Sequence, residues 1–111
     1  MKITYSNKKV EKCFENYDEM KKHIPFEWTR AVKKHIDRLQ AAETFGDFLQ
    51  LNLGHPERLK NQNEIQYSIR INGNVRLIIK LDKNCTISQC KEIEIEGVVD
   101  YHGRSETWYI P

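Results

Sequence analysis

The sequence predicts an α+β fold, in which a short N-terminal strand precedes two helices packed on one face of a small antiparallel β-sheet. In the first half, apolar residues recur every three to four positions, which is typical of amphipathic helices. In the second half they alternate with polar residues, which is typical of half-buried strands. The segment Asn72-Gly73-Asn74 lies between two alternating runs and favours a hairpin turn.

The helical elements lie in the first half of the chain. Residues 2–5 predict the short strand, and Ser6 or Asn7 caps a first helix. Pro25 suits the first turn of a second helix. Thr44 to Leu51 predicts one more short helical turn. The apolar face of the first helix comprises Val10, Cys13, Phe14 and Tyr17, and that of the second comprises Trp28, Ala31, Val32, His35, Ile36, Leu39 and Ala42.

The remaining predicted strands lie in the second half of the chain. Ile65 to Ile71 and Val75 to Leu81 form the predicted hairpin, and a last strand runs from Ile93 to Tyr101. Gly97 is a candidate β-bulge within that strand. Residues 103–111 are expected to be a C-terminal tail. The 111 residues match the size of one domain, so residues 1–111 are interpreted as a single unit.

One face of the predicted sheet has no cover. The helices are expected to pack on the odd-numbered strand residues, which leaves the even-numbered positions exposed. Such a face is either a binding and reaction surface or an ordinary solvated face of an antiparallel sheet. Its polar members would be Gln66, Ser68, Arg70, Arg76, Lys80, Asp100 and His102.

Composition excludes several classes of protein. Hydrophobic residues make up 39% and charged residues 31% of the chain. No run approaches the ~18 apolar residues of a membrane span, and the N-terminus lacks signal-peptide features. Three irregularly spaced cysteines, Cys13, Cys85 and Cys90, argue against a secreted disulfide scaffold. We therefore expect a cytosolic protein whose cysteines stay reduced, with Cys13 buried on the first helix.

The charge is weakly basic and unevenly distributed. The net charge is +2, and residues 1–40 carry ten Lys or Arg against six Asp or Glu. This pattern fits a nucleic-acid partner and fits a solvated surface equally well. No pair of Cys or His residues has the spacing of a metal site, so no metal or other cofactor is expected.

A few side chains have the chemistry for catalysis or phosphate binding. Asp100 lies two residues from His102, and a carboxylate near an imidazole raises the imidazole pKa. Arg76 would bind a phosphate, or else pair with Glu94 or Asp100. His55 is either a second acid–base group or a solvated loop residue. Arg58 and Lys60 would contact a polyanion or are simply solvated. Trp108 and Tyr109, in the tail, either pack on the core or contact a partner.

Four segments together resemble the HigB branch of the RelE/ParE superfamily of bacterial toxins. They are residues 55–60 (HPERLK), 66–78 (QYSIRINGNVRLI), 93–95 (IEI) and 99–103 (VDYHG). Their order and spacing carry the resemblance, since each motif alone is common. The resemblance implies a RelE-like fold over nearly the whole chain.

The resemblance also implies an activity. Toxins of this branch enter the ribosomal A site and cut mRNA without a metal, through attack of the 2′-hydroxyl on the adjacent phosphate. By motif position, Lys60 and Arg76 would bind phosphate, and Asp100, Tyr101 and His102 would transfer protons and place the substrate. Additional RNA-binding candidates are His55, Arg58, Ser68 and Arg70.

This sequence departs from the family pattern at two positions. The histidine often found shortly before the Leu-Lys pair is replaced by Glu57 or Arg58, and His55 lies earlier. The aromatic residue often found before the hairpin arginine is Val75. These differences leave the role of a second histidine, and stacking at position 75, without support.

The partners implied by the resemblance are a cognate HigA-like antitoxin with a helix-turn-helix, the ribosome and mRNA. Operator DNA would be contacted only through the antitoxin, in the cytoplasm of a bacterium and away from membranes. Two alternatives remain: a ParE-like inhibitor of DNA gyrase, and a non-catalytic module of an operator-binding complex. The Asp100 and His102 pair argues against the gyrase inhibitor, which needs no acid–base group.

Overall fold

The computed structural model describes residues 1–60, 63–102 and 105–111, and the side chains of His102 and Ser105 lie outside the described part. It confirms the α+β fold, with helices packed on one face of the sheet. The elements are β1 (Lys2–Tyr5), α1 (Lys8–Glu15), α2 (Tyr17–Met20), α3 (Phe26–Ala41), α4 (Phe45–Gln50), β2 (Glu57–Arg58), β3 (Ile65–Asn72), β4 (Val75–Leu81), a 3-10 helix (Ile87–Gln89), β5 (Glu92–His102) and β6 (Ser105–Ile110).

The helices begin where the sequence places caps. The Asn7 side chain accepts a hydrogen bond from the Val10 amide at 2.9 Å and caps α1. The first helix is shorter than expected, because the backbone is extended at Asn16, which in turn caps α2. Tyr17 therefore opens a separate helix instead of ending α1. The predicted second helix is α3, which begins directly after Pro25.

The sheet has the strand order β1-β5-β4-β3-β2, with β6 on β5. The long strand β5 pairs on one edge with β4. On its other edge it pairs first with β1, in parallel, and then with β6, antiparallel. The expectation of a C-terminal tail is therefore wrong for Ser105–Ile110. These residues complete the edge of β5 that β1 is too short to cover, and Ile110 is fully buried opposite Val98.

The core lies between the helices and the odd-numbered side chains of β3, β4 and the first half of β5. Cys13 belongs to it and is 1% exposed, as expected. The N-terminal ammonium group donates hydrogen bonds to Gln40 O at 2.9 Å and Ala42 O at 2.6 Å. It thus places a positive charge at the C-terminus of α3, where the helix dipole favours one. The strand members of the core are Tyr67, Ile69, Leu77, Ile79, Leu81, Ile93 and Ile95.

A β-bulge at Gly97 confirms the candidate position and changes the facing of the residues that follow. Ile78 pairs with Gly97, and the next residue of β4 pairs with Ile95, so β5 holds one extra residue. Gly97 has φ +146°, and a Cβ there would collide with the carbonyl of Ile110. Beyond the bulge, the even-numbered Val98 faces the core.

The connection before β5 brings two cysteines together. Cys85 and Cys90 form a disulfide, and their Cα atoms are 5.7 Å apart. The sequence-based expectation was that both thiols stay reduced. The turn that pairs them is the 3-10 helix, which closes with a hydrogen bond from the Cys90 amide to Ile87 O.

Candidate functional site

The sheet face opposite the helices, here called the open face, gathers most of the polar candidates. Cross-strand register places Arg70 of β3 beside Arg76 of β4, Arg76 beside Val99 of β5, and Val99 beside Trp108 of β6. The buried apolar residues of α1, α2, α3 and α4 join the core cluster on the other face. Described members of the open face include Gln66, Ser68, Arg70, Arg76, Ile78, Lys80, Glu94, Val99, Tyr101, Glu106 and Trp108.

Arg70 and Arg76 lie directly opposite each other, and like charges in such a pair destabilise a sheet. The Arg76 guanidinium donates hydrogen bonds to the carbonyls of Gly73 and Val75, the latter at 3.1 Å. Among the described residues neither arginine forms a salt bridge. An anionic ligand would offset the repulsion between them, and a phosphate suits the guanidinium geometry.

The ion pairs proposed as an alternative for Arg76 are not formed. The Glu94 carboxylate pairs instead with Lys80, at 3.2 Å, and this contact raises the pKa of Lys80. A second carboxylate, from Glu64, lies 3.6 Å from the same ammonium group. Lys80 is therefore neutralised, and the positive charge of the open face is concentrated at Arg70 and Arg76.

Tyr101 extends the same face beyond Val99. Burial raises the pKa of its hydroxyl, the charge of Glu106 raises it further, and the nearby Arg76 opposes the shift. The hydroxyl therefore stays protonated near neutral pH and is able to donate a hydrogen bond to a ligand. Its amide donates to Asn74 O at 3.0 Å, which ties the end of β5 to the hairpin turn.

Asp100 does not lie on the open face, contrary to the sequence-based expectation. It pairs with Val75, a core residue, and is only 5% exposed. The Tyr109 hydroxyl donates a hydrogen bond to Asp100 Oδ2 at 3.3 Å. The ring of Tyr109 in turn packs edge-on against Trp28 of α3, with the centroids 5.4 Å apart.

The reason for this placement is the bulge at Gly97, which reverses the alternation along β5. Asp100 is therefore separated from Arg76 by the sheet itself, and a structural hydrogen bond to Tyr109 occupies one of its oxygens. The predicted partner, His102, belongs to β5 by its backbone, but its side chain lies outside the described residues. The acid–base pair remains a prediction.

The remaining candidate residues lie apart from the arginine pair, on the edge strand, in the loop before it and on other parts of the open face. Arg58 pairs with Tyr67, a core residue, and is exposed, as is Lys60. His55 is exposed in a loop and has a positive φ of 44°. Ser68 lies on the open face but is 3% exposed, so its hydroxyl is poorly accessible to a ligand. Sequence reasoning missed Trp108 on this face, although a Thr-Trp-Tyr-Ile run favours a strand.

Most of the chain matches the model of a known protein family. The model for the RelE-like toxin of the type II toxin–antitoxin system HigB matches residues 4–102. The chain is a HigB-like toxin. This confirms the resemblance drawn from the motifs, and membership of a toxin–antitoxin family implies an antitoxin as partner.

The fold of this HigB-like toxin is similar to that of a solved structure, "The structure of YoeB dimer from Staphylococcus aureus". The similarity covers 92% of this chain and 97% of the other, with a TM-score of 0.55 and 22% sequence identity. No curated protein matches the chain. Within the described residues, no helix of the HigB-like toxin is long and apolar enough to cross a membrane.

Proposed function

We propose that this HigB-like toxin is an endoribonuclease that cuts mRNA in the ribosomal A site, without a metal or other cofactor. The observation that carries the proposal is the cross-strand pair Arg70 and Arg76, which carries the unneutralised positive charge of the open face beside the Tyr101 hydroxyl. The family match supports it, since the chain is a type II toxin. RNA supplies the phosphate that such a pair requires.

The proposed reaction uses a nucleophile that belongs to the substrate. A base removes the proton of a ribose 2′-hydroxyl, and the 2′-oxygen forms a bond to the adjacent phosphorus. The bond from phosphorus to the 5′-oxygen breaks, and an acid protonates that oxygen. The products are a 2′,3′-cyclic phosphate and a 5′-hydroxyl end.

Each candidate residue of this chain has a proposed role in this reaction. Arg76, with Arg70 beside it, binds the phosphate and stabilises the charge of the pentacoordinate transition state. Lys60 adds a further positive charge, and Tyr101 donates a hydrogen bond that places the substrate. His102 is the proposed acid. Asp100, buried and bonded to Tyr109, acts as a positioning residue at the end of β5.

The proposed setting is the cytoplasm of a bacterium, with a cognate antitoxin as the inhibitor. We propose that this antitoxin is HigA-like, carries a helix-turn-helix and makes the contacts to operator DNA. His55, Arg58 and Ser68 are weaker RNA-binding candidates, since His55 lies in a loop, Arg58 lies on the edge strand β2 and Ser68 is buried.

The test is mRNA cleavage in a reconstituted translation reaction, with the cut sites mapped by primer extension. Arg76→Ala should abolish cleavage and growth arrest while circular dichroism shows a folded protein. Lys60→Ala should lose less, because lysine acts as a point charge that Arg58 can partly replace. Lys83→Ala, at an exposed turn, is the matched control.

Three results contradict the proposal. A folded Arg76→Ala variant that arrests growth fully shows that the arginine does not bind the scissile phosphate. DNA damage without transcript cleavage on induction of the parent chain favours the gyrase inhibitor. Absence of both effects favours a non-catalytic module.

A further inference from the structure

Trp108 is an exposed aromatic residue that lies outside the segment matched by the family model. It belongs to β6, pairs with Val99 and is 36% exposed. Its indole N–H donates a hydrogen bond to Glu106 Oε1 at 3.2 Å. The ring edge lies over the bulge, with Cζ3 at 3.3 Å from the place that a Cβ on Gly97 would occupy.

The docking of β6 does not account for this exposure. The two residues that follow Trp108 secure the strand on the helix face: Tyr109 contacts Trp28 and Asp100, and Ile110 is fully buried. Trp108 points to the opposite side, where only part of its surface is covered. A large aromatic surface is therefore held in a defined position and left accessible.

Its neighbours on the open face identify the kind of ligand that it suits. Arg70, Arg76, Val99 and Trp108 form one continuous row across four strands. With adjacent strands ~5 Å apart, the backbones of Arg76 and Trp108 are separated by about 10 Å. An arginine that binds the backbone of a nucleic acid and an aromatic ring that stacks on a base are the usual components of a single-strand binding surface.

We propose that Trp108 is a base-stacking residue for single-stranded RNA, whose phosphates are bound by the adjoining arginines. This inference rests on the proposed function and deepens it, because it adds an RNA contact from a strand beyond the family match. Arg70 and Arg76 have no ion-pair partner among the described residues, and the accessible indole beside them suits a base, so the row fits a polyanion that carries bases. Stacking tolerates any base, so the contact adds affinity more than sequence preference.

The first experiment uses the intrinsic fluorescence of the two tryptophans. The probe is a single-stranded RNA with methylated 2′-hydroxyls, which cannot supply the attacking oxygen. We expect it to quench the fluorescence of the Trp28→Phe variant, in which Trp108 is the remaining tryptophan. The Trp108→Phe variant should show no quenching. Equal quenching in both variants, or none in either, overturns the proposal.

The second experiment measures affinity for the same probe. Trp108→Leu keeps an apolar cover over Gly97 and should bind about 5- to 150-fold more weakly, from the usual contribution of one stacked base. Trp108→Phe should stay close to the parent chain. Phe26→Leu is the matched control, since Phe26 is 57% exposed and lies on a helix away from the open face. Parent-like binding by Trp108→Leu overturns the proposal.

Salt dependence separates stacking from charge. Trp108→Leu should weaken binding by the same factor at every salt concentration. Arg76→Gln should instead lower the salt slope, by about 0.7 for each phosphate that the arginine neutralises in the parent. If Trp108→Leu binds RNA normally and loses only antitoxin binding, the residue is a protein contact and the proposal is wrong.

The cleavage assay shows which of the two proposals has failed. If the parent chain cuts translated mRNA and Trp108→Leu both binds and cuts like the parent, the stacking proposal alone is wrong. If the parent does not cut mRNA but the probe quenches Trp108, the base contact stands and the endoribonuclease proposal is wrong.

Discussion

At the scale of single residues, a neighbour decides whether a charged side chain is available for binding. Lys80 and Arg76 occupy the same strand and the same face, yet only Lys80 has carboxylates within 4.0 Å among the described residues. Arg76 has another arginine beside it. The availability of Arg76 therefore follows from cross-strand register, which the hairpin turn sets.

The proposed role of His102 as the acid is the step of the mechanism that a single substitution tests most directly. His102→Gln keeps a hydrogen-bonding side chain but cannot transfer a proton. Because general acid–base catalysis is worth about 10²–10⁴-fold, the rate of mRNA cleavage should fall by that factor. Binding to antitoxin and ribosome should stay unchanged, as the basic surface is intact.

Cleavage is measured in reconstituted translation, and antitoxin binding on the same preparation serves as the control. A parent-like cleavage rate for His102→Gln makes the residue a positioning group. The acid would then be sought at Tyr101 or His55. Tyr101 is the better placed of the two, because its hydroxyl is protonated beside Arg76.

At the scale of elements, the hairpin and the odd-numbered core could be predicted because the register of β3 and β4 is regular from Ile65 to Arg70 and shifts only beside the turn. Two features could not. Strand alternation was counted through Gly97, so Asp100 was placed on the wrong face. The strand β6 was missed because its formation depends on the free edge of β5, which is a tertiary property.

The bulge makes its own prediction. Gly97→Ala should destabilise the fold by more than about 2 kcal/mol, since alanine is strained at φ +146° and its Cβ collides with Ile110 O. Gly73→Ala is the matched control. Its φ is also positive, at +39°, but no atom lies within 4 Å of the added carbon.

Chemical denaturation of both variants measures the difference in the free energy of unfolding. Gly73→Ala should cost about 1 kcal/mol from backbone strain alone. Equal losses for the two variants mean that the close packing of β6 on the bulge contributes nothing to stability.

His35 of α3 contacts the end of β3 from the helix side of the sheet. Its Nε2 lies 3.1 Å from Arg70 O, and it is 5% exposed. Burial lowers the pKa of His35 below its ordinary value, the carbonyl contact opposes this, and Arg38 lowers it further. The folded protein therefore holds the ring neutral at a pH where the unfolded chain is already protonated.

The sign of the resulting pH dependence follows. As the pH falls through ~6.5, the unfolded state gains a proton that the folded state lacks, so the free energy of unfolding decreases. The decrease is complete below the folded pKa, and above ~7 the contribution is constant. Denaturation between about pH 7 and pH 5 should show this decrease in the parent and a smaller one in His35→Gln. An equal decrease in the parent and in His35→Gln contradicts this assignment to His35. His55→Gln is the control, because it removes an imidazole at an exposed position.

At the scale of the whole molecule, β5 spans the protein and separates two regions. Its 11 residues extend about 36 Å at the usual rise of a strand, close to the longest dimension of the protein, 35 Å. The disulfide lies just before the first residue of β5, whereas Tyr101 and the row that contains Arg76 lie near its last. The disulfide and the row that contains Arg76 are therefore connected through the backbone of β5 and lie near its opposite ends.

This separation predicts that the disulfide affects stability without affecting catalysis. Cys85 and Cys90 close a loop of only a few residues, so reduction should lower the free energy of unfolding by about 2 kcal/mol. Dithiothreitol should leave the rate of mRNA cleavage unchanged, because Arg76 and Tyr101 are held by β4 and by the hairpin turn. Cys85→Ser reproduces the reduced state without reductant, and Cys13→Ser controls for loss of a buried thiol. If dithiothreitol switches cleavage by the parent on or off, and Cys85→Ser shows the same change without reductant, the disulfide takes part in catalysis and the separation is contradicted.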